Sequence, residues 1–195
     1  MIELAIFDMD GTVFESRLDW LKIRKELAIQ PGESILAEIY KNHRVDQRRL
    51  EILENYEKKN TLEALPINGI ADFLTLLQRE EVTTVLLTNN NRENTTYLLE
   101  KFNLDFDMII TRELKLWKPD PAAFYYIMNK FRCNSGETIS IGDSHYDVKA
   151  SQGAKIANIF IIKTPRSLEM KSPGIILFED YHDLEGILKE RGLFT

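Results

Sequence analysis

Short apolar runs alternate with stretches of helical spacing along most of this chain. The runs fall at residues 2–7, 83–88, 108–111, 138–141, 157–162 and 175–178. Each has the length of a buried strand and is too short for a core helix. Between them, 92–102 places Leu98, Leu99 and Phe102 on one side, and 121–131 sets Phe124, Ile127, Met128 and Phe131 at helical spacing. Asp120 is positioned to cap that second helix, with Pro121 as its first residue. Residues 144–150 predict a further helix ending near Gly153. Strands alternating with helices predict an α/β fold, a Rossmann-like doubly wound parallel sheet covered on both faces.

Residues 15–65 break this alternation. They contain no convincing strand but three helical stretches, 18–27, 34–40 and 47–60, with periodic apolar residues at Leu18, Leu21, Leu50, Leu53 and Tyr56. The strand pattern resumes around Ile67-Asn68-Gly69. The segment follows the first strand directly, so it predicts a small helical cap (15–65) inserted into a core formed by 1–14 and 66–195.

Composition narrows the function classes. Of 195 residues, 44% are hydrophobic and 29% charged, which is ordinary for a globular chain. A net charge of −6 disfavours sequence-independent nucleic-acid binding, though it leaves room for an anionic substrate at a locally positive site. No apolar run approaches the roughly 18–20 residues of a membrane helix, and the first residues lack the basic region and small-residue cleavage site of a secretory signal. Cys133 stands alone, so no intrachain disulfide forms, and the thiol reads as a small core hydrophobe. The expectation is a cytoplasmic protein with no membrane and no nucleic-acid partner.

The chemistry lies at the ends of the apolar runs, where open parallel sheets collect their ligands. The first ends at Asp8-Met9-Asp10-Gly11-Thr12 and the second at Thr88-Asn89. Lys118-Pro119 precedes a helix, and the 138–141 run ends at Gly142-Asp143-Ser144, with Asp147 following. Each has an ordinary structural reading. Asp and Gly are common turn residues, Thr88 can end a strand, Lys-Pro can be a solvated turn, and Asp143-Ser144 can cap a helix. Four such signals in this order point instead to one site.

The set resembles the haloacid dehalogenase-like superfamily: DxDGT at Asp8 to Thr12, a strand ending in Thr88, Lys118-Pro119, and GDxxxD from Gly142 to Asp147. The resemblance implies Asp8 as a nucleophile that becomes phosphorylated, and Asp10 as general acid/base with its backbone carbonyl on the metal. It implies Mg²⁺ held by Asp8, Asp10 and Asp143, and phosphoryl contacts from Thr88, Asn89 and Lys118. Asp147 supports Lys118 or the metal shell. These roles are chemically coherent, since phosphoryl transfer needs an in-line nucleophile and cations to neutralise charge. Lys118 is expected to keep the crowded carboxylates ionised.

Within the superfamily, an acid at Asp10 favours phosphoryl transfer over dehalogenation, because a halide leaves without a proton. Val13-Phe14-Glu15-Ser16 resembles the approach to a C1-type cap of the phosphoglycolate phosphatase-like branch, with Glu15 replacing the usual Asp. The cap is short for the family, which predicts a site open to bulky substrates. Lys22, Lys25 and Lys41 read as solvated helix faces rather than an imine-forming lysine. Arg17, Arg24, His43, Arg44, Arg48 and Arg49 read first as surface charges, with Glu51 and Glu54 as helix partners for Arg48 and Arg49. Any of these cations could meet an anionic substrate. His145 reads as a loop-edge residue and Trp117 as packing. The implied function is Mg²⁺-dependent hydrolysis of a small phosphorylated metabolite. The alternatives are a phosphomutase of the β-phosphoglucomutase type and a non-catalytic binding protein on the same fold. Nothing in the sequence indicates the oligomeric state.

Overall fold

The computed structural model describes residues 1–164, 167–170 and 172–194. Strand β1 (Leu4–Phe7) is buried along its whole length, as expected for a central strand covered on both faces. It lies between β2 (Thr83–Leu87) and β4 (Thr138–Gly142), parallel to both. With β3 (Met108–Ile110), β5 (Asn158–Ile162) and β6 (Ile175–Phe178) they form one parallel sheet in the order β3-β2-β1-β4-β5-β6. This is a doubly wound Rossmann-like sheet. Its order reverses between β1 and β4, and the crevice at such a switch point is where open α/β sheets bind ligands.

Side chains alternate across the sheet. Ala5 and Phe7 join a core with α4 (Ile70–Arg79), α5 (Arg92–Phe102) and α8 (Tyr181–Glu190), through Phe73, Leu98 and Leu184. Leu4 and Ile6 join the opposite core with α6 (Ala122–Phe131) and α7 (His145–Gly153), through Phe124, Ile127 and Val148. Cys133 packs at the edge of this second core, and burial pushes its thiol pKa up.

Residues between β1 and α4 form α1 (Trp20–Leu27), α2 (Ile35–Ile39) and α3 (Gln47–Glu63). They share a separate apolar cluster that includes Ile23, Leu27, Leu36 and Leu53. The chain leaves and rejoins the sheet through two adjacent segments. Glu15 N donates to Leu65 O at 2.8 Å and Ile67 N donates to Val13 O at 2.9 Å.

Several elements differ from the sequence reading. Helix α1 begins at Trp20, because the Asp19 carboxylate accepts from Lys22 N and caps it there. Helix α3 continues to Glu63. In α6 Pro121 is the cap rather than the first residue, although Asp120 still accepts from Ala122 N at 2.8 Å. Helices α4 and α8 are additions to that reading. Leu21 does not join the apolar cluster of its neighbours and is 79% exposed. No helix among the described residues is long and apolar enough to cross a membrane.

Candidate active site

Strand β1 delivers Asp8 to the switch-point crevice, where Asp8 N donates to Ile141 O at the end of β4. The chain then turns tightly: Val13 N and Phe14 N both donate to Met9 O, and Gly11 N donates to Phe14 O. Gly11 has a φ of 90°, and a Cβ there would lie 2.5 Å from Asp143 Oδ2. Glycine is therefore required twice over, by the backbone angle and by the approach of Asp143.

Strand β4 ends in the second half of the site. Ser144 caps α7 in a reciprocal capping box with Asp147. Asp147 Oδ2 accepts from Ser144 N at 3.0 Å and from Ser144 Oγ at 2.5 Å. A Cβ on Gly142 would lie 2.5 Å from Asp147 Cγ, so the carboxylate packs directly on the backbone of β4.

Lys118 lies between the two halves. Its Nζ donates to Asp8 Oδ1 at 2.5 Å and to Asp147 Oδ1 at 2.6 Å, with all three side chains largely or fully buried. Asn89 holds the lysine's backbone: its Nδ2 donates to Lys118 O at 2.9 Å and its Oδ1 accepts from Lys118 N at 3.0 Å. Burial opposes the lysine's charge, but Asp147 and Asp8 outweigh it and raise the ammonium pKa. For Asp147 burial is likewise outweighed, here by Lys118 and Ser144, and its pKa is lowered. Asp8 behaves oppositely. Burial, helped by Asp147 and Asp10, exceeds the pull of Lys118 and lifts its pKa to about 7. Lys118 thus pulls both carboxylates toward the ionised form, enough to lower Asp147 but not enough to offset the burial of Asp8.

Carboxylate oxygens of Asp8, Asp143 and Asp147 lie within 4.8 Å of one another. An all-oxygen, anionic donor set of this kind suits a hard divalent cation such as Mg²⁺. Within this group Asp147 is engaged on both oxygens, Oδ1 by Lys118 and Oδ2 by Ser144, while Lys118 also holds Oδ1 of Asp8.

Thr88 is buried at the end of β2, where its Oγ1 accepts from Asn90 N at 3.0 Å. Asp10 is gripped by two amides. Asn90 Nδ2 donates to its Oδ2 at 2.9 Å, and Asn60 Nδ2, reaching from α3, donates to its Oδ1 at 3.4 Å. Glu57, one turn before Asn60, pairs with buried Arg112 at the end of β3. Burial lifts the Glu57 carboxyl to about 8, with Arg112 pulling it back only in part.

A cleft of about 430 Å³ runs from these groups to the helices α1–α3. Of the cations considered from sequence, Arg24 lines it; Arg49 pairs with Asp46 instead, and Arg17 lies near Glu15. Exposed His145 borders the cleft with its ring against Tyr146. Trp117 stacks on Tyr40 at 4.9 Å and donates through Nε1 to Arg112 O, joining the helical segment to the sheet. Sequence reasoning missed Asn60, Asn90, Glu57 and Arg112. Asn90 alone carried a signal, since it directly follows Thr88-Asn89.

The model of the haloacid dehalogenase-like hydrolases matches residues 5–161. The chain belongs to this family. A phosphoglycolate phosphatase of Pseudomonas syringae pv. tomato is 27% identical, over 80% of this chain and 67% of its own length. An uncharacterized hydrolase of Saccharomyces cerevisiae is 25% identical, over 78% of this chain and 74% of its own. Among solved structures, a hydrolase from Pseudomonas syringae superposes with a TM-score of 0.74 at 22% identity, covering 96% of this chain and 98% of that one. The family match and the phosphatase relative together support a phosphoric monoester hydrolase.

Proposed function

We propose that this haloacid dehalogenase-like hydrolase cleaves phosphate monoesters through a phosphorylated Asp8. The observation that carries the proposal is the placement of Asp8 and Asp10. One carboxylate is in contact with the Lys118 ammonium, and the other, two residues on, is oriented by Asn90 and Asn60 at the mouth of the cleft. In this reading an Asp8 oxygen attacks phosphorus and the bond to the ester oxygen breaks. Asp10 gives its proton to the departing alcohol. It then takes a proton from the water that attacks the aspartyl phosphate, so free phosphate is released and Asp8 is regenerated. Lys118, the Thr88 hydroxyl and the Asn89 N–H would hold the phosphoryl oxygens.

Mg²⁺ would be held in this reading by Asp8 and Asp143, whose carboxylates cluster with that of Asp147, together with the Asp10 carbonyl. When bound, the ion would neutralise charge on the phosphoryl group and favour the ionised form of Asp8. Asp147 would act through Lys118, which it already grips. Residues 15–65 serve as the cap in this reading and 1–14 with 66–195 as the catalytic core, with substrate bound between them.

The test is phosphate release from a panel of phosphate monoesters with and without Mg²⁺, comparing the protein with Asp8→Asn. Release that requires Mg²⁺ and is lost in the variant, together with a phosphorylated Asp8 trapped and located by mass spectrometry, is the expected result. Asp10→Asn should lower turnover about 10²–10⁴-fold while leaving Asp8 able to accept a phosphoryl group. Equal activity in the Asp8→Asn protein would refute the mechanism. A sugar bisphosphate accumulating in place of phosphate would identify a mutase.

A further inference from the structure

We infer that the substrate is the phosphate ester of an alcohol with an apolar body, an arylalkyl or alkyl group, rather than of a short hydroxy acid or a sugar. The inference rests on the phosphatase reading above and concerns the other end of the same cleft.

The wall facing the carboxylates is built from Trp20, Leu21, Ile35, Leu36 and Leu53. Leu36 and Leu53 belong to the apolar cluster of the helical segment and show the cleft only an edge. Leu21 is different, since it lines the cleft yet is 79% exposed. A large apolar side chain held open beside a polar reaction centre gains by covering itself with an apolar ligand group.

Recognition of a carboxylate or second phosphate on the leaving group would need a cation aimed into this end. Among the described lining residues, Arg24 and Lys118 are the arginine and lysine side chains. Lys118 is engaged by Asp8 and Asp147 at the phosphoryl end. Arg24 is engaged as a strut: Nη1 donates to Gln30 O at 3.1 Å and Glu33 O at 2.8 Å, and Nη2 donates to Tyr146 Oη at 2.6 Å. His145 also borders the cleft, with its ring against Tyr146, and the Glu57 carboxyl of the lining is tied to Arg112. Leu21, Ile35, Leu36 and Leu53 offer no side-chain partner to the hydroxyls of a polyhydroxylated body, and unpaired hydroxyls are costly to bury.

In the reaction the P–O bond to the alcohol breaks, the water oxygen ends on phosphorus, and the alcohol leaves with a proton. Esters of primary alcohols with similar leaving-group basicity therefore isolate the contribution of the body. The experiment compares kcat/KM for 2-phenylethyl phosphate, glycerol 3-phosphate and phosphoglycolate with Mg²⁺ present, in the full chain and in Leu21→Arg. The expected result is at least a tenfold preference for 2-phenylethyl phosphate, reduced fivefold or more by Leu21→Arg. Equal or better use of phosphoglycolate or glycerol 3-phosphate would overturn the inference while leaving the phosphatase reading intact.

Binding of the non-hydrolysable 2-phenylethylphosphonate and phosphonoacetate, measured by calorimetry, separates the two claims. Tighter binding of the phenylethyl compound, weakened in Leu21→Arg, supports the apolar site even if no ester is turned over. Equal or reversed affinities would rule it out. Absence of turnover with every ester would refute the phosphatase reading alone.

Discussion

Arg112, buried at the end of β3, donates through Nη2 to Glu57 Oε2 on α3 and so joins the sheet to the helical segment by a fully enclosed ion pair. The pair is incompletely satisfied, since Arg112 Nε and Nη1 have no hydrogen-bond partner. A guanidinium cannot shed its proton, whereas a buried carboxyl can take one up. The two members therefore differ in what their loss leaves behind.

Glu57→Leu should destabilise the protein by about 3–5 kcal/mol, because it strands the Arg112 charge in the interior. Arg112→Met should cost less, about 1–3 kcal/mol, because Glu57 responds by staying protonated. Urea unfolding of both single variants and the double variant at pH 7 measures this. The double variant should be more stable than Glu57→Leu, and equal costs for the two single changes would contradict the asymmetry.

The same carboxyl makes stability depend on pH. Glu57 rises from 4.5 to about 8 on folding and Asp8 from 3.8 to about 7. Folded protein thus keeps these protons over a range in which the unfolded chain has lost them. Their contribution is complete below the unfolded values and is lost as pH rises through the folded ones. Metal-free protein should therefore lose stability, on the order of a few kcal/mol, between about pH 4 and pH 8. In Glu57→Gln the decline should be shallower and finish near pH 7, where Asp8 alone remains. Thermal unfolding in EDTA across this range checks both slopes.

The Asn90 side chain donates to Asp10 at 2.9 Å, and its backbone N–H donates to Thr88 Oγ1. In the proposed mechanism the side-chain contact positions the acid/base carboxylate. Asn90→Ala should lower kcat by about 10²-fold while changing KM little, since misplacing a reacting group affects the transition state more than binding. A matching rise in KM would instead indicate a substrate contact. Burst-phase measurement of phosphoenzyme formation separates the two.

Gly11→Ala would place a methyl 2.5 Å from Asp143 Oδ2 at a φ of 90°. Strain of about 1–3 kcal/mol is expected from the backbone alone. Displacement of Asp143 should also weaken Mg²⁺ affinity about tenfold or more, measured by calorimetry on the folded variant. An unaltered affinity would remove Asp143 from the metal site.

Much of the fold was legible because its signals are local. The apolar run 4–7 followed by Asp8, Asp10 and Gly11 forms a strand and turn whose hydrogen bonds close within a few residues of Met9. Ser144 and Asp147 cap α7 across three positions, a distance set by helix geometry alone. Helix α4 is amphipathic and could have been read, but its start at Gly69 lacks a side-chain cap. That left no local signal for where it begins.

The contacts that shape the cleft are of another kind. Asn60 and Asp10 are 50 positions apart, and Glu57 and Arg112 are 55 apart. Their meeting depends on how far α3 extends and how its apolar face seats against α1 and α2, which no short window of sequence encodes. Leu21 shows the same limit, since helical spacing assigns it to an apolar face without saying whether that face meets a neighbouring helix or an open cleft. The chain's order of residues thus carries the strands, the turns and the carboxylates at their ends, because each is settled by neighbours along the backbone. The ionisation of Asp8, the grip on Asp10 and the character of the substrate wall arise from burial and from side chains converging across long loops. Those quantities exist only once the helical segment has packed over the sheet.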